Sequence, residues 1–234
     1  MFGLAAHQGP RRARQAGRPA VAESLRDLRF AALLGAEAWA ALPPTVRERF
    51  SKRLAPGLAV TYAGEIVESR RNAAGWILAQ LCRLIGAPLP LGDDLGVAAV
   101  VTVTEDHEAG GQFWTRMYGR AHGFPQVIHS SKRFAGPTGL EEYLGGGFGI
   151  ALAVGADDRA LHFHSDHYFF ALGPVRLKLP VWLAPGALTI SHVDRPDGRF
   201  DFVLSLHHPL LGEVMRQVGV FRERAATHVL EVTP

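Results

Sequence analysis

The chain has 234 residues, 47% of them hydrophobic and 20% charged, with a formal net charge of +3 and one cysteine. That length suits a single domain around one core, and no apolar run approaches the roughly 18 to 20 residues that a membrane-spanning helix needs. A lone cysteine supports neither a disulfide framework nor a thiolate metal site, and the weak net charge argues against a nucleic-acid-binding surface.

Residues 1–22 read as a disordered basic tail, because GPRRARQAGRP (9–19) holds much of the basic excess and no apolar periodicity. Residues 23–42 carry apolar side chains at helical spacing. Their run FAALLGAEAWAAL starts late and contains Glu37, so a core helix is expected rather than a secretory signal, and the cytoplasm is the expected compartment. Pro43 and Pro44 stop that helix, and Thr45 is placed to cap the next, TVRERFSKRL. AVTYAGEIVES (59–69) has strand character. Asn72 then caps AAGWILAQLCRLI, which ends at Gly86 before Pro88 and Pro90. This helix is apolar on nearly all sides, the pattern of a helix buried under something large.

From residue 96 the grammar changes to strands separated by Gly, Pro and Asp turns: VAAVVTVT, GQFWTRMYGR, FPQVIHSSKRF, TGLEEYLG, FGIALAVG, ALHFHSDHYFFAL, PVRLKLPVWL, ALTISHVDR, GRFDFVLSLHH and EVMRQVGVFRE. Short connections such as GADDR and RPDGR permit antiparallel hairpins but not parallel crossovers. The expected fold is therefore α+β and mostly β. A long antiparallel meander of about ten strands curls into a half or full barrel, with two or three N-terminal helices packed on it. One domain should span 23–224, followed by a tail at 225–234.

Side chains two apart on a strand share a face, which sorts the candidate site residues. Trp114, Arg116 and Tyr118 share one face, an aromatic and cationic surface suited to a pocket in which Arg116 meets an acidic head group. Glu141 and Glu142 are adjacent and face opposite ways, so they form no acid–base couple; one of them is placed to neutralise Arg116. In LHFHSDHYFFALG, parity sets His162, His164, Asp166 and Tyr168 on one face and Leu161, Phe163, His167 and Phe169 on the other. His162 and His164 form a workable chelate that needs a further ligand, with His192, His129, His207 and Asp166 as candidates. The triple glycine of GLEEYLGGGFG precedes a strand and lacks the Lys-Ser/Thr ending of a phosphate loop. No Gly-x-Ser-x-Gly elbow occurs, and Cys82 on an apolar helix lacks a nucleophile's electropositive setting. No catalytic residue and no cofactor is assigned.

The chain contains an aromatic-x-Arg strand (Trp114, Arg116) and a Leu-Pro-x-x-Leu-x-Pro-Gly turn (Leu179, Pro180, Leu183, Pro185, Gly186). A Phe-x-Phe strand (Phe200, Phe202), then His208, Pro209 and Gly212, and finally Gln217 and Phe221 complete the pattern. With this signature the chain resembles the bacterial family of domain of unknown function 4166 over most of residues 30–222. The resemblance carries no established activity. It implies either an accessory or sensor module, or one that works with a separately encoded oxidoreductase, since members of the family also sit behind saccharopine-dehydrogenase-like domains, and no strand followed by Gly-x-Gly-x-x-Gly occurs here. His208 lies on the apolar parity face before a proline, where a hydrogen bond across the turn is expected, and it joins the candidate ligand contacts.

Three function classes remain. The first is a non-catalytic binding module for a small apolar or amphipathic ligand, with Trp114, Arg116, Tyr118, Glu142 and His208 as its contacts. The second is a cupin-like metal-dependent enzyme using His162, His164 and His192. The third is a protein-interaction domain with no pocket.

Overall fold

The computed structural model describes residues 25–86 and 88–224, so the tails expected at 1–22 and 225–234 lie outside the described residues. Two short strands, β1 (Leu25–Arg26) and β2 (Lys52–Arg53), pair with each other and enclose three short helices, α1 (Arg29–Leu34), α2 (Ala36–Ala41) and α3 (Pro44–Phe50). The single helix expected over 23–42 is broken at Gly35, whose φ of 80° and ψ of 163° lie outside the helical region and suit glycine. Thr45 does not cap α3. The helix starts with a proline in its first turn, and the Thr45 hydroxyl instead bonds Asp194 Oδ1 at 2.5 Å.

The long strand β3 (Ala59–Arg71) leads into α4 (Ala73–Leu81), which Asn72 caps as expected by accepting the Gly75 N–H at 2.9 Å. A 3₁₀ turn (Cys82–Ile85) and left-handed Gly86 end it. The strands β4 (Ala98–Asp106), β5 (Gly111–Tyr118), β6 (Gln126–Arg133), β7 (Glu141–Gly145), β8 (Phe148–Ala156) and β9 (Ala160–Leu172) follow as hairpin neighbours. The chain ends with β10 (Val175–Lys178), β11 (Ala187–Asp194), β12 (Phe200–His208) and β13 (Gly212–Arg224).

β13 pairs back onto β3, and β9 joins β8 to β11, so ten strands of the eleven-stranded sheet close an antiparallel barrel, with β10 as an appended edge strand. Closure removes the exposed edges that a sheet of this size would otherwise present. PVRLKLPVWL is correspondingly not a barrel strand: β10 folds onto the end of β9, and Val181–Leu183 form a 3₁₀ turn. At the β3–β13 seam a Cβ on Gly64 would lie 1.9 Å from the Val220 carbonyl oxygen, so closure here requires a residue without a side chain.

The barrel has two unlike ends. At one, α1 and α3 plug the opening: Phe30 packs edge-on to Phe50, Phe134 and Phe163, and the cluster continues through His192 and Phe200 to Phe221. At the other end lie α4, the segment 88–97 and the turns that follow β5, β7, β9 and β12. α4 is not buried as its apolar sequence suggested. Gly75 and Ala79 seat it, with a Gly75 Cβ position only 2.1 Å from the Val214 carbonyl oxygen, while Trp76, Ile77 and Leu81, and Leu84 of the following 3₁₀ turn, face outward. Small residues on one face let the helix lie flat across the barrel mouth, and the large ones are left outside.

Candidate functional site

Alternation along the strands sends Ala99, Val101 and Val103 of β4, Trp114, Arg116 and Tyr118 of β5, and Ile128, Ser130 and Lys132 of β6 into the barrel. At the helix-plugged end this interior is filled. Beneath α4 it is hollow, and a chamber enclosing about 520 Å³, part of it open to solvent, is bounded by Leu78, Cys82, Leu89, Ile150, Leu188 and Leu204 among others. Gln126 straps the lid on its far side: its side-chain amide donates to the Leu89 carbonyl at 2.9 Å and accepts the Leu91 N–H at 2.8 Å.

Arg116 and Glu142 are the charged members of the chamber wall. Arg116 Nη2 donates to Ser130 Oγ at 2.7 Å and lies 3.7 Å from Glu142 Oε1, while Lys132 Nζ stands 3.0 Å from Glu142 Oε2. The Lys132 ammonium also sits over the Trp114 ring at 4.9 Å. Burial pushes the Glu142 carboxyl up, but the charges of Lys132 and Arg116 and hydrogen bonds from Ser130 and Lys132 outweigh it, so the group is held below its ordinary range. Burial lowers Lys132 from its usual value, opposed by Glu142.

The five expected ligand contacts are thus divided. Arg116 and Glu142 meet at the chamber floor. Trp114 lies deeper, toward the plug, its indole N–H donating to Gln112 Oε1 at 3.3 Å. Tyr118, at the end of the same strand, lines a separate small hollow with Ile66, Gln126 and Gln217. His208 sits at the β12–β13 turn, where its Nδ1 accepts the Leu210 N–H at 3.2 Å. Glu141 occupies the outer face, ion-paired to Arg176 at 2.7 Å and accepting the Tyr143 hydroxyl at 2.8 Å. Sequence reasoning missed Lys132 and Ser130. The signal was present, since both share parity with Ile128 in IHSSKRF and so follow an apolar side chain inward.

The histidines distribute differently from strict alternation. A bulge at Asp166 shifts the β8–β9 register, so His167 pairs with Ala151 while Ser165 pairs with Leu152. Parity flips there. His162, His164 and His167 all lie on the outer face, and Tyr168 turns inward against the chamber. His162 bonds Ser191 Oγ (2.8 Å) and Asp157 Oδ2 (3.0 Å), and His164 bonds Thr189 Oγ1 (3.2 Å). His192 points the opposite way, into the barrel, among Phe50, Trp114, Phe163, Phe200 and Phe202. The sheet therefore stands between the chelate pair and its expected third ligand, and no group of three or more metal-ligating side chains forms among the described residues. Burial, reinforced by the charges of Arg49, Lys132 and Arg116, holds the His192 imidazole well below its ordinary pKa, and its Nδ1 has no hydrogen-bond partner among the described residues.

These features define a class: a closed ten-stranded antiparallel barrel, plugged by helices at one end and hollow under a single helix at the other. The chain belongs to the family described as domain of unknown function (DUF4166), whose model matches residues 42–221. The family resemblance read from Trp114, Arg116 and the Leu179–Gly186 turn is therefore correct. No curated protein and no solved structure matches the chain. Among the described residues no helix is long and apolar enough to cross a membrane.

Proposed function

We propose that this barrel is a non-catalytic binding module that holds a small apolar or amphipathic molecule in the chamber beneath α4. The observation that carries this reading is the chamber itself. Protein interiors normally pack to crystal density, yet here an apolar void walled by Leu78, Ile150, Leu188, Leu204 and Leu206 is left beneath the helix. Its position also supports the reading, because the helix that lies over it, α4, is short and seated through the small residues Gly75 and Ala79.

The test uses a neutral apolar fluorophore, N-phenyl-1-naphthylamine. One molecule per chain is expected to bind with a blue-shifted, enhanced emission, and Leu204→Trp, which fills the chamber, is expected to abolish that signal while the circular dichroism of the barrel is retained. Absence of binding to the unmodified protein, or equal binding to the filled variant, would exclude the chamber as the site.

A further inference from the structure

The floor of the chamber carries more positive than negative charge. Arg116 and Lys132 face a single carboxylate, Glu142, and the three are 5%, 3% and 1% exposed. Other buried carboxylates near these strands are engaged elsewhere: Glu105 pairs with Arg29 and Arg53, and Glu141 pairs with Arg176 on the outer face. The neighbouring His192 carries no negative charge in either protonation state and so offers these cations no counter-ion. A guanidinium does not lose its proton in a protein, and an uncompensated buried charge costs several kcal/mol. Arg116 Nε is moreover buried without a hydrogen-bond partner among the described residues, although Nη2 of the same group is used by Ser130. A buried donor left unpaired at the edge of an otherwise apolar chamber is the mark of a group awaiting an acceptor.

We infer that the chamber takes an amphipathic carboxylate acid end first, its single negative charge set against Arg116 and its apolar chain lying between Ile150, Leu188, Leu204 and Leu206 toward α4. The inference rests on the binding function proposed above and adds the chemistry and orientation of the ligand. A monoanion brings the floor to two cations and two anions. The planar fork of arginine suits a carboxylate, and the dry surroundings strengthen the contact. A phosphate monoester carries about −1.5 to −2 at neutral pH and would overshoot this balance.

Competition against N-phenyl-1-naphthylamine separates the two claims, because the neutral probe reports the chamber and not the charge. Dodecanoate is expected to displace the probe on the order of 10- to 100-fold more effectively than dodecanol, the range given by a charge-assisted hydrogen bond. Dodecyl phosphate should do no better than dodecanoate. Arg116→Met should keep the probe and lose the preference for the acid. Should Arg116→Met not fold, Lys132→Met decides instead, since it leaves one cation against Glu142 and should also reduce the preference. Equal displacement by acid and alcohol, a preference that survives both substitutions, or tighter binding of dodecyl phosphate would overturn the inference while leaving the chamber as a site. Failure of the probe itself to bind would instead strike the underlying binding function.

Discussion

Glu142→Leu is expected to destabilise the protein by about 3–5 kcal/mol, a fall in thermal midpoint on the order of 10 °C for a domain of this size. The carboxylate is 1% exposed, and Lys132 Nζ lies 3.0 Å from it with the Arg116 guanidinium beyond. Its removal leaves two buried cations on the neighbouring strands β5 and β6 with no carboxylate between them. The large cost is that of orphaned charge and not a measure of the ion pair's net worth, which desolvation largely cancels. The triple variant Arg116→Met/Lys132→Met/Glu142→Leu should therefore recover most of the stability, while losing any preference for an anionic ligand. Urea unfolding of the three proteins measures this. A single variant costing less than about 1 kcal/mol would mean that water reaches the floor freely, as in an exposed pair.

The second large effect is an acid-sensitive stability that depends on His192. Its folded pKa lies well below the ordinary value because of burial and the charges of Arg49 from α3, Lys132 from β6 and Arg116 from β5. For a base whose folded pKa is depressed, the unfolded chain binds the extra proton as pH falls through about 6.5, so stability is complete above that pH and declines below it. Between pH 7.5 and 5.5 this single group should remove on the order of 1 kcal/mol. His192→Phe keeps an aromatic ring among Phe50, Phe163, Phe200 and Phe202 and cannot protonate, so its loss of stability over the same interval should be smaller by that amount. Identical slopes for the two proteins, read by urea unfolding at each pH, would show that His192 is hydrated in the folded state.

The meander was legible from residue 96 onward because alternation and short turns are local signals: FDFVLSLHH shows its inward Phe200, Phe202, Leu204 and Leu206 without any structure. Closure was not legible. The β13–β3 seam joins strands from opposite ends of the domain, and its requirement for Gly64 appears only when Val220 is brought against it. The opposite facing of Glu141 and Glu142 could be read from adjacency alone, but the partner that completes the floor, Lys132, lies on a hairpin neighbour whose register no single strand reveals. The histidine stretch shows the limit of parity most clearly. One bulged residue, Asp166, turns Tyr168 inward and His167 outward, and a bulge has no period to announce it. For α4, apolar composition indicated burial, whereas the deciding feature was the small face made by Gly75 and Ala79.

The hollow under α4 is most directly tested by a crystal of the protein pressurised with xenon, since dry apolar cavities bind it. Ordered xenon is expected among Ile150, Leu188, Leu204 and Leu206, above Arg116, and nowhere in the aromatic plug around Phe30 and Phe163. A chamber found collapsed, with Leu78 and Tyr168 packed onto Leu204 and no xenon between them, would contradict a barrel built to hold a ligand.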